Sequence, residues 1–120
     1  MSVKRNDTVV IFGSSQTKPE SLDYLHACDL GKALSMAGYC VANGGYGGIM
    51  AATAQGAKEA GGSTIGVTCN IFGRNGPNQW IDQEIKTSDL NERLETLIDL
   101  ANAFIVLPGS TGTLLELAMV

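Results

Sequence analysis

The chain of 120 residues predicts an α/β fold, a Rossmann-like doubly wound parallel sheet in three α/β/α layers. Three observations lead there. Short apolar runs without polar alternation recur along the chain, as strands covered on both faces require. Stretches of helical length separate them, which builds βαβ units and right-handed crossovers. Several of the 15 glycines gather in turns that directly follow the apolar runs.

The first strand is Thr8 to Gly13 (TVVIFG), apolar and β-branched. Thr17-Lys18-Pro19-Glu20 offers a capping box with proline in the first turn, so a helix should start there. Leu22, Leu25, Ala33, Leu34 and Ala37 supply its expected buried stripe, and Gly38 ends it. Tyr39 to Ala42 reads as the second strand, followed by Asn43-Gly44-Gly45-Tyr46-Gly47-Gly48. Ile49 to Ala60 is alanine-rich and helical until Gly61-Gly62, and Ser63 to Thr68 is the third strand. Asn70 to Lys86 is the least regular segment, and a long loop in a compact domain is more often functional than idle. Ser88 or Asp89 should cap the next helix, with Leu90, Leu94, Leu97, Ile98 and Ala101 on its apolar stripe. Ala103 to Leu107 is the fourth strand, and Pro108 to Glu116 leads into another apolar-periodic stretch.

A strand order of 3-2-1-4 reverses the chain direction between strands 1 and 4, and ligands bind at the carboxyl ends of the strands there. This places Gly13, Ser14 and Ser15 beside the loop Gly109-Ser110-Thr111-Gly112-Thr113, with Gly44 and Gly45 on the same rim. A glycine-rich turn entering a helix presents outward backbone N–H groups that suit a phosphate. Glu116 stands one turn inside that helix, surrounded in sequence by Leu114, Leu115, Leu117 and Ala118. A lone carboxylate in such a run points to chemistry on a phosphorylated small molecule.

Other readings remain open at several positions. Gly44 to Gly48 serves equally well as a tight strand-to-helix turn, and it makes neither a dinucleotide fingerprint nor a Walker A loop. Arg93 follows Asp89 by four residues, the spacing of a surface ion pair. His26 has no carboxylate or cysteine partner and fits a half-exposed structural place. Tyr46 and Trp80 offer rings for a base, although Trp80 also suits an anchor for its loop.

Composition narrows the partners. With 8 basic and 12 acidic residues the net charge is −4, which leaves no footprint for nucleic acid or an anionic membrane. No run approaches the ~18 apolar residues of a membrane span. The polar start, Met1 to Asp7, is unlike a secretory signal. Cys28, Cys40 and Cys69 are odd in number and widely spaced, as reduced thiols or small core residues would be. A soluble cytoplasmic protein is expected.

The motifs also carry a family resemblance. Pro108-Gly109-Ser110-Thr111-Gly112-Thr113-Leu114-Leu115-Glu116 resembles the PGGxGTxxE signature of the Lonely Guy (LOG) family, formerly labelled lysine decarboxylase-like. Phe12-Gly13-Ser14-Ser15 resembles its first-strand GSS, Gly44 to Met50 its GGxxGLM turn, and Asn91-Glu92-Arg93 its ER dipeptide. The resemblance is closest to the family's uncharacterised bacterial branch. It implies a nucleoside 5′-monophosphate phosphoribohydrolase of the cytokinin-activating type, an N-glycosidase that releases free base and ribose 5-phosphate. By the same resemblance Arg93 and Glu116 are the catalytic pair, and Gly109 to Thr113 form the phosphate loop. AMP-like nucleotides are the implied ligands, with no metal or other cofactor and with homodimers or higher homo-oligomers as the assembly. The wider superfamily also holds nucleotide sensors and molybdenum-cofactor carriers, so a non-catalytic binder is the alternative. Nothing resembles a pyridoxal-phosphate lysine site, so lysine decarboxylation is not expected.

The sequence departs from the family pattern at three positions. Ser110 replaces the second glycine of the signature, Leu94 a lysine that commonly follows the arginine, and Asn43 a glycine found in many members. Residues 1–120 are expected to form one nucleotide-binding domain, and the helix opened at Thr113 to Val120 is expected to continue through a further strand and helix.

Overall fold

The computed structural model describes residues 7–69 and 77–107. Its elements run β1 (Thr8–Phe12), α1 (Leu22–Met36), β2 (Cys40–Asn43), α2 (Ile49–Glu59), β3 (Thr64–Cys69), β4 (Gln83–Thr87), α3 (Leu90–Leu100) and β5 (Ala103–Val106). The strands form one five-stranded sheet of order β4-β3-β2-β1-β5. Every pairing is parallel, and β1 matches β2 from Thr8↔Cys40 and β5 from Val9↔Ala103.

Alternate residues of the central strands feed two cores. Val9, Ile11 and Val41 pack with Tyr24, Ala27, Ile49, Ala52 and Ala57 of α1 and α2. Val10, Phe12, Ala42 and Val67 pack with Leu94 and Leu97 of α3. Helices therefore cover both faces, which explains why β1 and β2 are apolar or buried at every position. Leu94 is a buried core residue, packed with Leu97 against the central strands, as its place on the apolar stripe predicts.

The predicted order 3-2-1-4 survives in β3-β2-β1-β5, with an extra strand at the edge. That strand, β4, lies where an irregular segment was expected. It is largely polar, QEIKT, because an edge strand buries little and so shows no apolar run. The first helix also starts later than its capping box suggested. Ser21, not Thr17, is the N-cap, and its Oγ accepts from the Tyr24 N–H at 3.1 Å. Pro19 disfavours helical backbone at Lys18, so the helix begins only beyond it.

The buried face of α1 differs as well. Tyr24, Ala27 and Gly31 are buried, whereas Leu22 and Leu25 are 70% and 51% exposed, and Ala33 and Ala37 are exposed. The cause is close helix packing: a Cβ at Gly31 would meet the Thr53 carbonyl, and one at Gly56 the Cys28 carbonyl. Small residues let the backbones of α1 and α2 touch, Leu22 and Leu25 are turned outward, and Leu30 and Leu34 pack half-buried against the core. His26 is exposed, Cys28 half-buried, and Cys40 and Cys69 are buried free thiols. Among the described residues no helix is long and apolar enough to cross a membrane.

Candidate functional site at the carboxyl rim of the sheet

The loops leaving β1 and β2 meet at the carboxyl ends of the strands. The Ile49 N–H donates to the Ser14 carbonyl at 2.8 Å, joining the first loop to the start of α2. Gly48 caps α2 with φ +62°, and a Cβ there would strike the Ser14 carbonyl and the Ser15 backbone. No side chain caps this helix start, so its positive end faces the Gly13-Ser14-Ser15 loop. A Cβ at Gly13 would collide with the Ile49 side chain, so the first loop lies directly on that helix. Ser14 and Ser15 are half-buried, and their hydroxyls accept from Gln16 N and Nε2 at 3.0 and 3.1 Å.

Asn43 organises the turn after β2. It is fully buried, its Nδ2 donates to the Met50 carbonyl at 2.8 Å and to Thr53 Oγ1 at 3.0 Å, and its Oδ1 accepts from Gly45 N at 2.8 Å. One side chain thus ties the end of β2 to the first turn of α2 and shapes the glycines between them. Its signal in the sequence was an asparagine directly before a glycine pair, an Asx-turn pattern.

Arg93 is brought to the same turn. It is buried at 9% exposure on α3, with Nε donating to the Val67 carbonyl at 2.8 Å and Nη2 to the Gly44 carbonyl at 3.2 Å. Its guanidinium carbon lies 5.7 Å from the Tyr46 ring centroid, within cation–π range. The spacing to Asp89 did suggest a surface pair, but Asp89 is the N-cap of α3, accepting from Glu92 N at 2.8 Å. A Cβ at Gly44 would overlap Arg93 Nη2 and crowd Met50 Sδ, so glycine there makes room for the guanidinium.

Tyr46 is buried and its hydroxyl both donates to the Cys69 carbonyl at 3.0 Å and accepts from the Cys69 N–H at 2.9 Å. Its ring therefore braces the turn against β3 and supports the guanidinium. Trp80 is half-buried, and its carbonyl accepts from Thr64 Oγ1 at 2.6 Å, which anchors its loop.

Gly13, Ser14, Ser15, Gly44, Gly45 and Arg93 thus gather along one rim of the sheet. The Leu107 N–H donates to the Phe12 carbonyl at 2.8 Å, so the described chain ends beside Gly13. Gly109, Ser110, Thr111, Gly112, Thr113 and Glu116 lie outside the described residues. The described part of the rim brings two half-buried serine hydroxyls and the buried Arg93 guanidinium to one edge of the sheet, groups suited to an anionic ligand.

The model of the SLOG cluster4 family matches residues 6–120. The chain belongs to this LOG-like family. Two curated mycobacterial proteins named cytokinin riboside 5′-monophosphate phosphoribohydrolase are similar to this SLOG cluster4 member. The one from Mycobacterium marinum is 34% identical over 113 residues, 92% of this chain. The one from Mycobacterium tuberculosis is 35% identical over the same length. The chain spans 59% of the length of either relative. Among solved structures, a molybdenum cofactor binding protein from Rippkaea orientalis superposes with a TM-score of 0.82 at 28% identity, over 94% of this chain and 69% of that one. The molybdenum cofactor carrier protein of Chlamydomonas reinhardtii gives 0.75 at 27% identity, with the same coverage of each chain. The SLOG cluster4 chain therefore has both phosphoribohydrolases and cofactor carriers as relatives.

Proposed function

We propose that this protein hydrolyses the N-glycosidic bond of a nucleoside 5′-monophosphate, releasing free base and ribose 5-phosphate. The observation that carries the reading is the seat of Arg93, buried at the carboxyl rim against Gly44 instead of paired on the surface. In this reading the backbone N–H groups of Gly109, Gly112 and Thr113 hold the 5′-phosphate, with the Ser110 and Thr111 hydroxyls beside them. Binding the phosphate orients the ribose at a distance from the reacting bond. Glu116 hydrogen-bonds the ribose hydroxyls and stabilises the oxocarbenium-like charge at the anomeric carbon, and it activates the attacking water. Arg93 orients Glu116 and the departing base through charge-assisted hydrogen bonds. The two mycobacterial relatives support the activity by their names. A homodimer in the cytoplasm belongs to the same reading.

The test is incubation with a panel of nucleoside monophosphates, followed by chromatography for free base. Glu116→Gln should lose base release while keeping nucleotide binding, and full activity in that variant sinks the mechanism. The similarity to the molybdenum-cofactor proteins favours a second reading, a non-catalytic carrier using the same rim. Tight ligand binding without turnover would favour it. Absence of any nucleotide binding would count against the hydrolase and leave a member kept for assembly.

A further inference from the structure

Residues 77–82 form a strap beside the candidate site. It descends from the carboxyl rim to the start of β4 across the face of β3 that also carries Gly45. At its lower end, Asp82 Oδ2 accepts from Thr64 N at 3.1 Å and Oδ1 pairs with Lys58 Nζ at 2.8 Å. In the middle, a Cβ at Gly66 would sit 3.0 Å from Ile81 Cγ1 and 2.9 Å from Gly45 Cα, so strap and turn both lie flat on this glycine. At its upper end is Asn78. Its backbone N–H donates to the Gly45 carbonyl at 2.7 Å, and its Nδ2 to the Gly45 and Tyr46 carbonyls at 3.2 and 2.6 Å. Its Oδ1 accepts from Trp80 N at 2.9 Å, which fixes the amide's orientation.

Consecutive carbonyls of one turn are therefore held from two sides. Arg93 takes Gly44, and Asn78 takes Gly45 and Tyr46. We propose that Asn78 is a positioning residue, which sets the Arg93 guanidinium by locking the turn whose carbonyl and aromatic ring seat it. The role rests on the reading of Arg93 above. Asn78 acts through Gly44 and Tyr46 and needs no contact with substrate. Asn78 holds the carbonyls of Gly45 and Tyr46, and so fixes the backbone torsions that relate the Gly44 carbonyl on one side to the Tyr46 ring on the other. Loss of that hold would change both contacts of the guanidinium on this side.

The experiment compares Asn78→Asp, Asn78→Ala and Asp82→Asn in the full chain. Base release from adenosine 5′-monophosphate gives kcat and KM, and the Arg93 Nε–H resonance in ¹⁵N-labelled protein reports the guanidinium's seat. Asn78→Asp is nearly isosteric but turns a donor into a carboxylate facing two carbonyls. We expect it to lower kcat about 10- to 100-fold, the range of a misplaced group. KM should stay near the wild-type value and the Arg93 resonance should move. Asp82→Asn loosens the strap remote from the turn, so it should lower Tm while leaving kcat and the resonance unchanged. Asn78→Ala should follow Asn78→Asp; if it fails to fold, the isosteric variant carries the measurement. Wild-type kcat or an unmoved resonance in Asn78→Asp overturns the proposal, as does an equal kcat loss in Asp82→Asn. If the wild-type protein releases no base, the hydrolase reading fails, and the resonance alone decides for or against Asn78.

Discussion

Arg93 Nη2 lies 3.2 Å from the carbonyl of Gly44, a residue 49 positions earlier in the chain. The contact joins α3, on one face of the sheet, to the turn that enters α2 on the other. It also places a charged group where ordinary packing would put an aliphatic one, between the Val67 and Gly44 carbonyls. Arg93→Ala leaves both buried acceptors without this donor, at a cost of about 1–3 kcal/mol. Arg93→Lys keeps the charge but cannot reproduce the planar fork. Chemical denaturation should therefore rank wild type above Arg93→Lys and Arg93→Ala below both. On the proposed mechanism, base release should fall in both variants. Undiminished stability in Arg93→Ala would contradict the seat described here.

Gly44→Ala tests the same contact from the other side. The added Cβ overlaps Arg93 Nη2 and lies 2.6 Å from Met50 Sδ. Both are ends of flexible side chains, so the chain should fold with the guanidinium displaced. We expect a modest fall in Tm and a loss in base release of up to about 100-fold. The result that counts against it is wild-type turnover with an unchanged Arg93 environment.

The fold was legible because its signals are local. The short apolar, β-branched run at Thr8–Phe12 reads as a doubly covered strand, Ser63 to Thr68 is rich in β-branched residues, and the glycine turns between such runs mark βα junctions. What escaped the sequence depends on contacts distant in the chain. Strand β4 is held by its neighbour β3 more than by its own residues, so Gln83 to Thr87 carries no pattern of its own. The exposure of Leu22 and Leu25 follows from glycines packing α1 on α2, which periodicity cannot foresee. At the candidate rim, Gly13 to Ser15, Gly44 and Gly45 stand out in the sequence as turn motifs, whereas Arg93 is marked only by the family resemblance, its spacing alone suggesting a surface pair. Asn78 was not legible, because its partners lie 33 and 32 positions away and an asparagine beside a proline reads as loop.

Asn43 stands where many LOG members have glycine, yet Asn43→Gly should weaken this protein. The side chain is 0% exposed and satisfies Gly45 N, the Met50 carbonyl and Thr53 Oγ1 at once. Removing it opens a small cavity and orphans the Gly45 N–H, for about 1–3 kcal/mol. Asn43→Ala should behave similarly. Equilibrium unfolding in urea checks this, and a variant as stable as wild type would show that the turn shapes itself without the amide.

The Lys58–Asp82 pair predicts a pH dependence with a definite sign. Partial burial alone would push the Asp82 carboxyl up, but hydrogen bonds from Lys58 and from the Thr64 N–H, with the Lys58 charge, hold it below its ordinary value. A carboxyl depressed in the folded state contributes its full stability above the unfolded pKa, about 3.9. That contribution is lost as pH falls through the lower folded value. The two side chains are 36% and 41% exposed, so solvent screening limits the gain to at most about 1 kcal/mol. Wild type should therefore exceed Asp82→Asn in stability by a constant margin at neutral pH. The margin should narrow only below about pH 4, where the carboxyl becomes protonated. Urea unfolding at a series of pH values measures it, and a margin that shrinks between pH 7 and 5 would mean that another group carries the effect.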